Sequence, residues 1–164
     1  MNKVIRHMIA DYLNVGTKEA EEYAFMNAGF TTLDENPSAK VETVPYVGDK
    51  SASGSITGYE TVFPFETQLI SDEAAVSFIY NIARNQKTGE DAETDYVRID
   101  EFGTGVNTGT TSYPARKFRV AVEVTNIAGE GTQIVKLSGN LHQVGDFVDG
   151  TFDTSTKKFT PKTA

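Results

Sequence analysis

Between residues 117 and 125 every second residue is a large apolar one, and this period of two is typical of a β-strand with one buried face. A short glycine-containing turn at 128–131 follows, and the alternation then resumes. The two runs therefore predict a long antiparallel hairpin with one side in the core. The residues of its apolar face are Phe118, Val120, Val122, Val124, Val135, Leu137 and Leu141.

A helical period occurs once, and it predicts a helix over residues of about 72–85. Ser71 is a suitable N-cap, and Asp72 and Glu73 place negative charge in the first turn. Gly89 ends the pattern. The apolar stripe consists of Val76, Phe78, Ile79, Tyr80, Ile82 and Ala83.

The composition of the whole chain favours strands, with 20 Thr and 15 Val against 5 Leu. Further strands are predicted near residues 11–15, 22–26 and 96–99, and a last pair is predicted at 147–152 and 157–159 around a turn at 153–155. A single amphipathic helix must pack on the sheet that these strands form. We therefore predict a mainly β protein, an antiparallel β-sandwich or barrel with one flanking α-helix. Residues 1–164 form one domain, with a flexible N-terminal arm (about 1–10) and a C-terminal tail (about 154–164).

A long hairpin loop is predicted at about residues 40–58, where two extended runs flank a small polar segment. Such a glycine-bounded tip is typical of a mobile surface loop. Its residues are Gly48, Asp49, Lys50, Ser51, Ala52, Ser53 and Gly54.

Composition excludes several classes of function. The net charge of −8 argues against tight binding to nucleic acid, because that binding depends on basic side chains. The absence of cysteine excludes disulfides and thiolate chemistry. No apolar run is long enough for a membrane helix. Arg6, His7 and Asp11 interrupt any signal-peptide core, so we expect synthesis in the cytoplasm.

Candidate chemistry is sparse. His7 and His142 are the only histidines, and they stand alone rather than at metal-ligand spacing. The glycines at 103, 105 and 109 open no helix, so they predict a loop rather than a dinucleotide site. The acidic residues at 91, 93 and 95 lack the glycine and glutamate of a calcium loop. We expect no catalytic, cofactor or metal site and no enzyme activity.

An ordered series of motifs from about residue 10 to residue 150 resembles the major tail (tail tube) proteins of long, non-contractile-tailed bacteriophages of Gram-positive bacteria. Supporting motifs flank the series at 29–33 and 115–120. The series reads Tyr46-Val47-Gly48-Asp49-Lys50, Thr57-Gly58-Tyr59-Glu60, Phe63-Pro64-Phe65-Glu66, the helix start Ser71-Asp72-Glu73, Arg84-Asn85-Gln86-Lys87-Thr88-Gly89 and Tyr96-Val97-Arg98-Ile99-Asp100.

This resemblance implies a structural virion protein of the tail. Its copies would form hexameric rings that stack into a tube, and DNA would pass through the lumen without specific binding. The implied partners are other copies, the tape-measure protein, the tail terminator and the baseplate or distal tail proteins. The tip at 48–54 would then be an inter-ring stacking loop. Acidic residues facing the lumen would repel DNA, and the candidates are Glu60, Glu66 and Glu123.

Three alternatives remain open on the sequence. The chain could be another tail component, such as a terminator or a decoration protein. It could form the tube of a contractile tail or of a phage-like bacteriocin, whose subunits share the fold. A ligand-binding β-sandwich is the third, although the absence of tryptophan disfavours a sugar site.

Overall fold

A computed structural model describes residues 1–103 and 111–163. The prediction of a mainly β fold with one helix is confirmed. Short 3-10 segments occupy Arg6–Met8 and Gly89–Ala92. The regular elements in chain order are β1 (Ile9–Asn14), β2 (Tyr23–Phe25), β3 (Phe30–Leu33), β4 (Ala39–Val44), β5 (Ser53–Tyr59), β6 (Val62–Gln68), α1 (Ala74–Arg84), β7 (Glu93–Asp100), β8 (Ser112–Ala128), β9 (Lys136–Gln143), β10 (Val148–Asp153) and β11 (Lys158–Pro161).

Strand β8, with 17 residues, organises the main sheet. One of its edges pairs with β7, which continues through β1 to β2. Its other edge is divided: residues 112–117 pair with β10, and residues 120–128 pair with β9. The antiparallel sheet therefore branches at β8. One branch runs through β9 and β6 to β3, and the other runs through β10 to β11.

The main core lies on the face of β8 that carries Phe118, Val120 and Val122, as the alternation predicts. Three aromatic rings meet there, and one of them contacts the other two edge to face. The Phe63 ring centroid lies 4.8 Å from those of both Tyr96 and Phe118. Such geometry is the favoured arrangement of aromatic pairs. The long hairpin predicted at 118–141 is confirmed as β8 and β9.

A second core covers the opposite face of the sheet. Strand β7 has six consecutive buried residues, because Tyr96 faces the main core while Val97 and Ile99 face the second one. Phe152 of β10 covers this face and contacts Tyr12, with ring centroids 4.7 Å apart. The branch formed by β10 and β11 thus buries a sheet face that would otherwise be exposed.

Helix α1 lies against β8 and β2 and buries Ala75, Val76, Ile79 and Ile82. The predicted helix is confirmed, but its predicted cap is wrong. Glu73 is the N-cap and makes no side-chain cap bond, while Ser71 precedes it and its carbonyl accepts a bond from the Ser77 hydroxyl. Within residues 1–103 and 111–163, no helix is long and apolar enough to cross a membrane.

Both segments predicted to be flexible ends contain regular structure. The N-terminal segment (about 1–10) includes the start of β1, where Ala10 is buried. The C-terminal segment (about 154–164) includes β11, which pairs with β10. Their mobility stays a prediction. Of the glycines predicted to form a loop, Gly105 and Gly109 lie outside the described residues.

Replacing Val122 with aspartate tests the assignment of strand faces. The change buries an unpaired carboxylate, so we expect the free energy of unfolding to fall by at least about 3 kcal/mol. Urea titration followed by circular dichroism measures it. Asn126→Asp, at an exposed position of the same strand, is the matched control and should change stability by less than about 0.5 kcal/mol. Equal stability of the two variants would contradict the assignment.

Candidate assembly surfaces

Strands β4 and β5 form a hairpin that is a two-stranded sheet of its own. Every residue of β4 is exposed. Every residue of β5 is also exposed, except Gly58, which is half-buried. Isolated two-stranded hairpins are marginally stable in water, because they lack a third strand or a packed face. The hairpin is therefore the part of the described structure that is most exposed to a partner.

One face of this hairpin is apolar. Val41 lies directly opposite Ile56, and Ala39 lies opposite Tyr59. Val41, Ile56 and Tyr59 are 63%, 59% and 63% exposed. The other face is mainly polar and carries Lys40, Glu42, Val44, Ser53 and Ser55. Clustered exposed apolar side chains of this kind mark interaction surfaces. We call Ala39, Val41, Ile56 and Tyr59 the hairpin apolar face.

The predicted stacking loop lies at the tip of this hairpin, but its boundaries differ from the prediction. Residues 45–52 connect the strands, whereas Ser53 and Gly54 belong to β5 and lie opposite Val44 and Thr43. Most of the predicted loop at about 40–58 is therefore strand. The correction has a physical reason: small residues can extend a ladder as well as form a turn, so composition does not mark where pairing ends.

The three acidic residues predicted to face the lumen separate into two sites. Glu123 lies opposite Asn140, which in turn lies opposite Pro64, and Glu66 is two residues further along β6. Glu66 and Glu123 thus share the outer face of the β8–β9–β6 sheet. Glu60 lies instead at the root of the hairpin.

Each of these carboxylates has a basic neighbour. Glu66 lies 3.8 Å from Lys136 Nζ, and Glu60 lies 2.9 Å from Lys40 Nζ. Glu123 contacts His142 Nε2 on the outer face. Exposed pairs of this kind contribute at most about 1 kcal/mol, so they do not fix the position of either group.

Other residues that the sequence singles out lie in ordinary structural positions. His7 is exposed in the first 3-10 segment. Glu93 and Asp95 lie in β7 rather than in a loop, each 3.5 Å from a nitrogen of Arg119. Within residues 1–103 and 111–163, no group of three or more His, Cys, Asp or Glu side chains could hold a metal ion.

A buried charged cluster at one end of the main core was missed by the sequence analysis. Asp11 is only 2% exposed and accepts hydrogen bonds from Tyr96 Oη and from Arg6 Nη2, the latter at 2.6 Å. Arg98 Nη1 lies 3.5 Å from the same carboxylate. The sequence held one indication of this cluster: Asp11 and Arg98 are charged residues in strands whose other residues are mostly buried.

The cluster perturbs the groups within it. Burial is the main cause that raises the pKa of Tyr96, and the Asp11 carboxylate adds to it. Burial lowers the pKa of Arg98, but the neighbouring Tyr96 and Asp11 outweigh that effect, and the net pKa is raised. The arginine is therefore a permanent cation that neutralises Asp11 inside the protein.

A groove of about 810 Å³ lies beside the hairpin root. Tyr59, Arg116 and Phe147 line it, and Phe147 is 45% exposed. Its mixed lining of apolar, acidic and basic groups resembles a protein contact more than a pocket for a small molecule.

Strand edges in the main sheet are short: β2 has three residues, and β3 and β11 have four each. The hairpin strands are longer, with six and seven residues. Short edge strands limit unwanted pairing between molecules. The hairpin strands thus offer longer open edges than any of these three edge strands.

Comparison with known proteins gives a likeness of fold. No family model matches the chain. No curated protein matches it either. Among solved structures, a chain in the cryo-EM structure of the anti-feeding prophage (AFP) baseplate, 6-fold symmetrised, is similar with a TM-score of 0.53 and 8% sequence identity. The likeness covers 91% of this chain and 96% of that chain, so this protein has the fold of that baseplate chain over nearly its whole length.

Proposed function

We propose that this protein is a structural virion protein of a phage tail, and that its copies assemble into stacked hexameric rings that form the tail tube. The observation that carries the proposal is the fold likeness to a chain of a six-fold baseplate over 91% of this chain. The sequence resemblance to tail tube proteins supports it independently. The chain is proposed to have no enzyme activity.

The hairpin is proposed as the contact that joins one ring to the next. A ring closes through one head-to-tail contact, whereas stacking needs a second contact that continues without closure. The exposed hairpin, with its apolar face and its free strand edges, offers this second contact. Burying Val41, Ile56 and Tyr59 against another copy would stabilise the stack by removing apolar surface from water.

The outer face of β8, β9 and β6 is proposed to line the lumen. DNA carries about one negative charge per 1.7 Å of helix axis. Glu66 and Glu123 on this face would repel it and keep it from adhering to the wall. Further proposed partners are the tape-measure protein during assembly, the tail terminator at one end, and baseplate or distal tail proteins at the other.

A second candidate is a ring-forming component of a baseplate or a terminator, which closes a single ring and does not polymerise. The source of the similar chain, a baseplate, favours it. Electron microscopy of the concentrated protein separates the two. Hollow rods support the tube, isolated rings support the second candidate, and monomers alone, even with a purified initiating complex, would contradict both.

Deleting residues 49–53 tests the role of the hairpin tip. The deletion removes residues 49–52, which are half of the connection at 45–52, and Ser53, the first residue of β5, and it leaves the main sheet intact. We expect a folded chain that forms no long tubes, as seen by circular dichroism and negative-stain microscopy. Tubes of normal length from this variant would refute the assignment of the tip to ring stacking.

The hairpin apolar face is tested by the double variant Val41→Ser, Ile56→Ser. Because both side chains are exposed in the single chain, the free energy of unfolding should change by less than about 0.5 kcal/mol. Assembly should be lost, measured by pelleting and light scattering. The matched control, Glu42→Ser and Ser55→Ala, changes the opposite face. Equal assembly of both pairs would argue against the apolar contact.

Charge reversal tests the lumen. Tails built with Glu66→Lys and Glu123→Lys should assemble normally but eject DNA more slowly, because the wall would attract phosphate. Ejection is followed by fluorescence of a DNA-binding dye after triggering. Glu90→Lys, an exposed change in the second 3-10 segment, is the control. Ejection at the rate of that control would reject the lumen assignment.

A further inference from the structure

We infer that Glu35 is a positioning residue: its ion pair with Arg116 fixes the direction in which the β4–β5 hairpin leaves the body of the protein. The structural part of this inference concerns the single chain. Its consequence for assembly rests on the proposed function.

Glu35 lies in the short connection between the end of β3 and the start of β4. Arg116 of β8 holds its carboxylate with two hydrogen bonds, Nη2 to Oε1 at 2.5 Å and Nη1 to Oε2 at 3.2 Å. Arg98 Nε of β7 lies 3.7 Å from the same Oε1. This two-pronged geometry is the most directional that an arginine and a carboxylate can form. The carboxylate is therefore tied to two central strands of the main sheet.

Arg116 is itself held in place. Its guanidinium carbon lies 5.2 Å from the ring centroid of Phe118 and 5.7 Å from that of Phe147. Phe118 is buried in the main core, and its ring lies 5.3 Å from that of Phe147. The arginine thus has aromatic rings on its faces and a carboxylate at its end, which leaves it little rotational freedom.

The hairpin root has a second fixed point one residue further along. Asn36 and Val62 exchange two backbone hydrogen bonds, of 2.8 and 2.9 Å. Ser38 then has a φ of 51°, a left-handed conformation that turns the chain into β4. Two further hydrogen bonds join the two segments of the root, from Glu60 N to the Ser38 carbonyl at 3.2 Å and from Thr61 Oγ1 to the Pro37 carbonyl at 3.4 Å. These bonds hold the two segments to each other. The ion pair of Glu35 with Arg116 and Arg98 is a side-chain contact that joins the root to β7 and β8, and it opposes rotation of the hairpin relative to these central strands.

A fixed direction matters for assembly because the hairpin would have to meet its neighbour in one orientation. Apparent affinity falls in proportion to the fraction of molecules in the competent conformation. If the oriented fraction fell to about one tenth, each hairpin contact would weaken about tenfold. Glu35 would then act on assembly without touching the neighbouring copy.

The absence of cysteine makes a direct test simple. Spin labels at Ser51→Cys in the tip and Ala74→Cys in α1 report the distance between hairpin and body by pulsed electron paramagnetic resonance on unassembled protein. We expect a narrow distance distribution in the labelled parent and a broad one after Glu35→Gln. Arg116→Lys keeps the charge but loses the two-pronged bond, so it should give intermediate width.

Glu21→Gln is the matched control. It removes a carboxylate that lies 3.0 Å from Lys117, the neighbour of Arg116 on β8, and Glu21 lies far from the hairpin in sequence. It should leave the distance distribution narrow. Distributions that stay equally narrow in Glu35→Gln and Glu21→Gln would overturn the inference. If Glu35→Gln does not fold, a narrow distribution in Arg116→Lys overturns it equally.

Assembly assays keep this inference separate from the proposed function. Broadening with Glu35→Gln, together with a parent that forms neither rods nor rings, supports the positioning role and rejects the tail function. Rods from the parent with no broadening in the variant support the tail function and reject the positioning role. If the positioning role and the tail function both hold, Glu35→Gln should raise the protein concentration at which rods form, and Glu21→Gln should leave it unchanged.

Discussion

The whole architecture depends on one constraint, that a strand has only two edges for hydrogen bonding. Strand β8 gives one edge to β7 and must divide the other between β9 and β10. The sheet therefore branches, and its two branches bury opposite faces of β7 and β8. This explains why Tyr96 and Val97, neighbours in sequence, belong to different cores. Strand length, rather than a particular side chain, makes this possible.

The buried charged cluster is costly unless every member is paired, since an unpaired buried charge costs several kcal/mol. Within the cluster, Asp11 is paired with Arg98 and with the more exposed Arg6. The half-buried pair of Glu35 and Arg116 adjoins the cluster through Arg98 and extends it toward the surface. The cluster therefore connects the first strand, the central strands and the connection that leads to the hairpin. Its effect is to give one end of the core a defined geometry and to hold the root of the most exposed element.

The candidate site was only partly predictable from the sequence. Glycine and small polar residues predicted a hairpin tip at 48–54, but Ser53 and Gly54 belong to β5, so composition did not mark where pairing begins. The hairpin apolar face depends on Val41 lying opposite Ile56. Register decides which side chains share a face, and a shift of one residue would reverse it. Strand register also explains why Glu66 and Glu123 share a surface to which Glu60 does not belong.

Local patterns in the sequence determined the existence of the helix, the long hairpin and most strands, because period and turn chemistry act between near neighbours. Tertiary structure alone decided the branching at β8, the second core and the ion pairs. Arg116 and Glu35 are 81 residues apart, and Tyr96 and Asp11 are 85 apart. Such contacts follow from which strand edges meet, and alternation along a strand carries no information about the strand beside it.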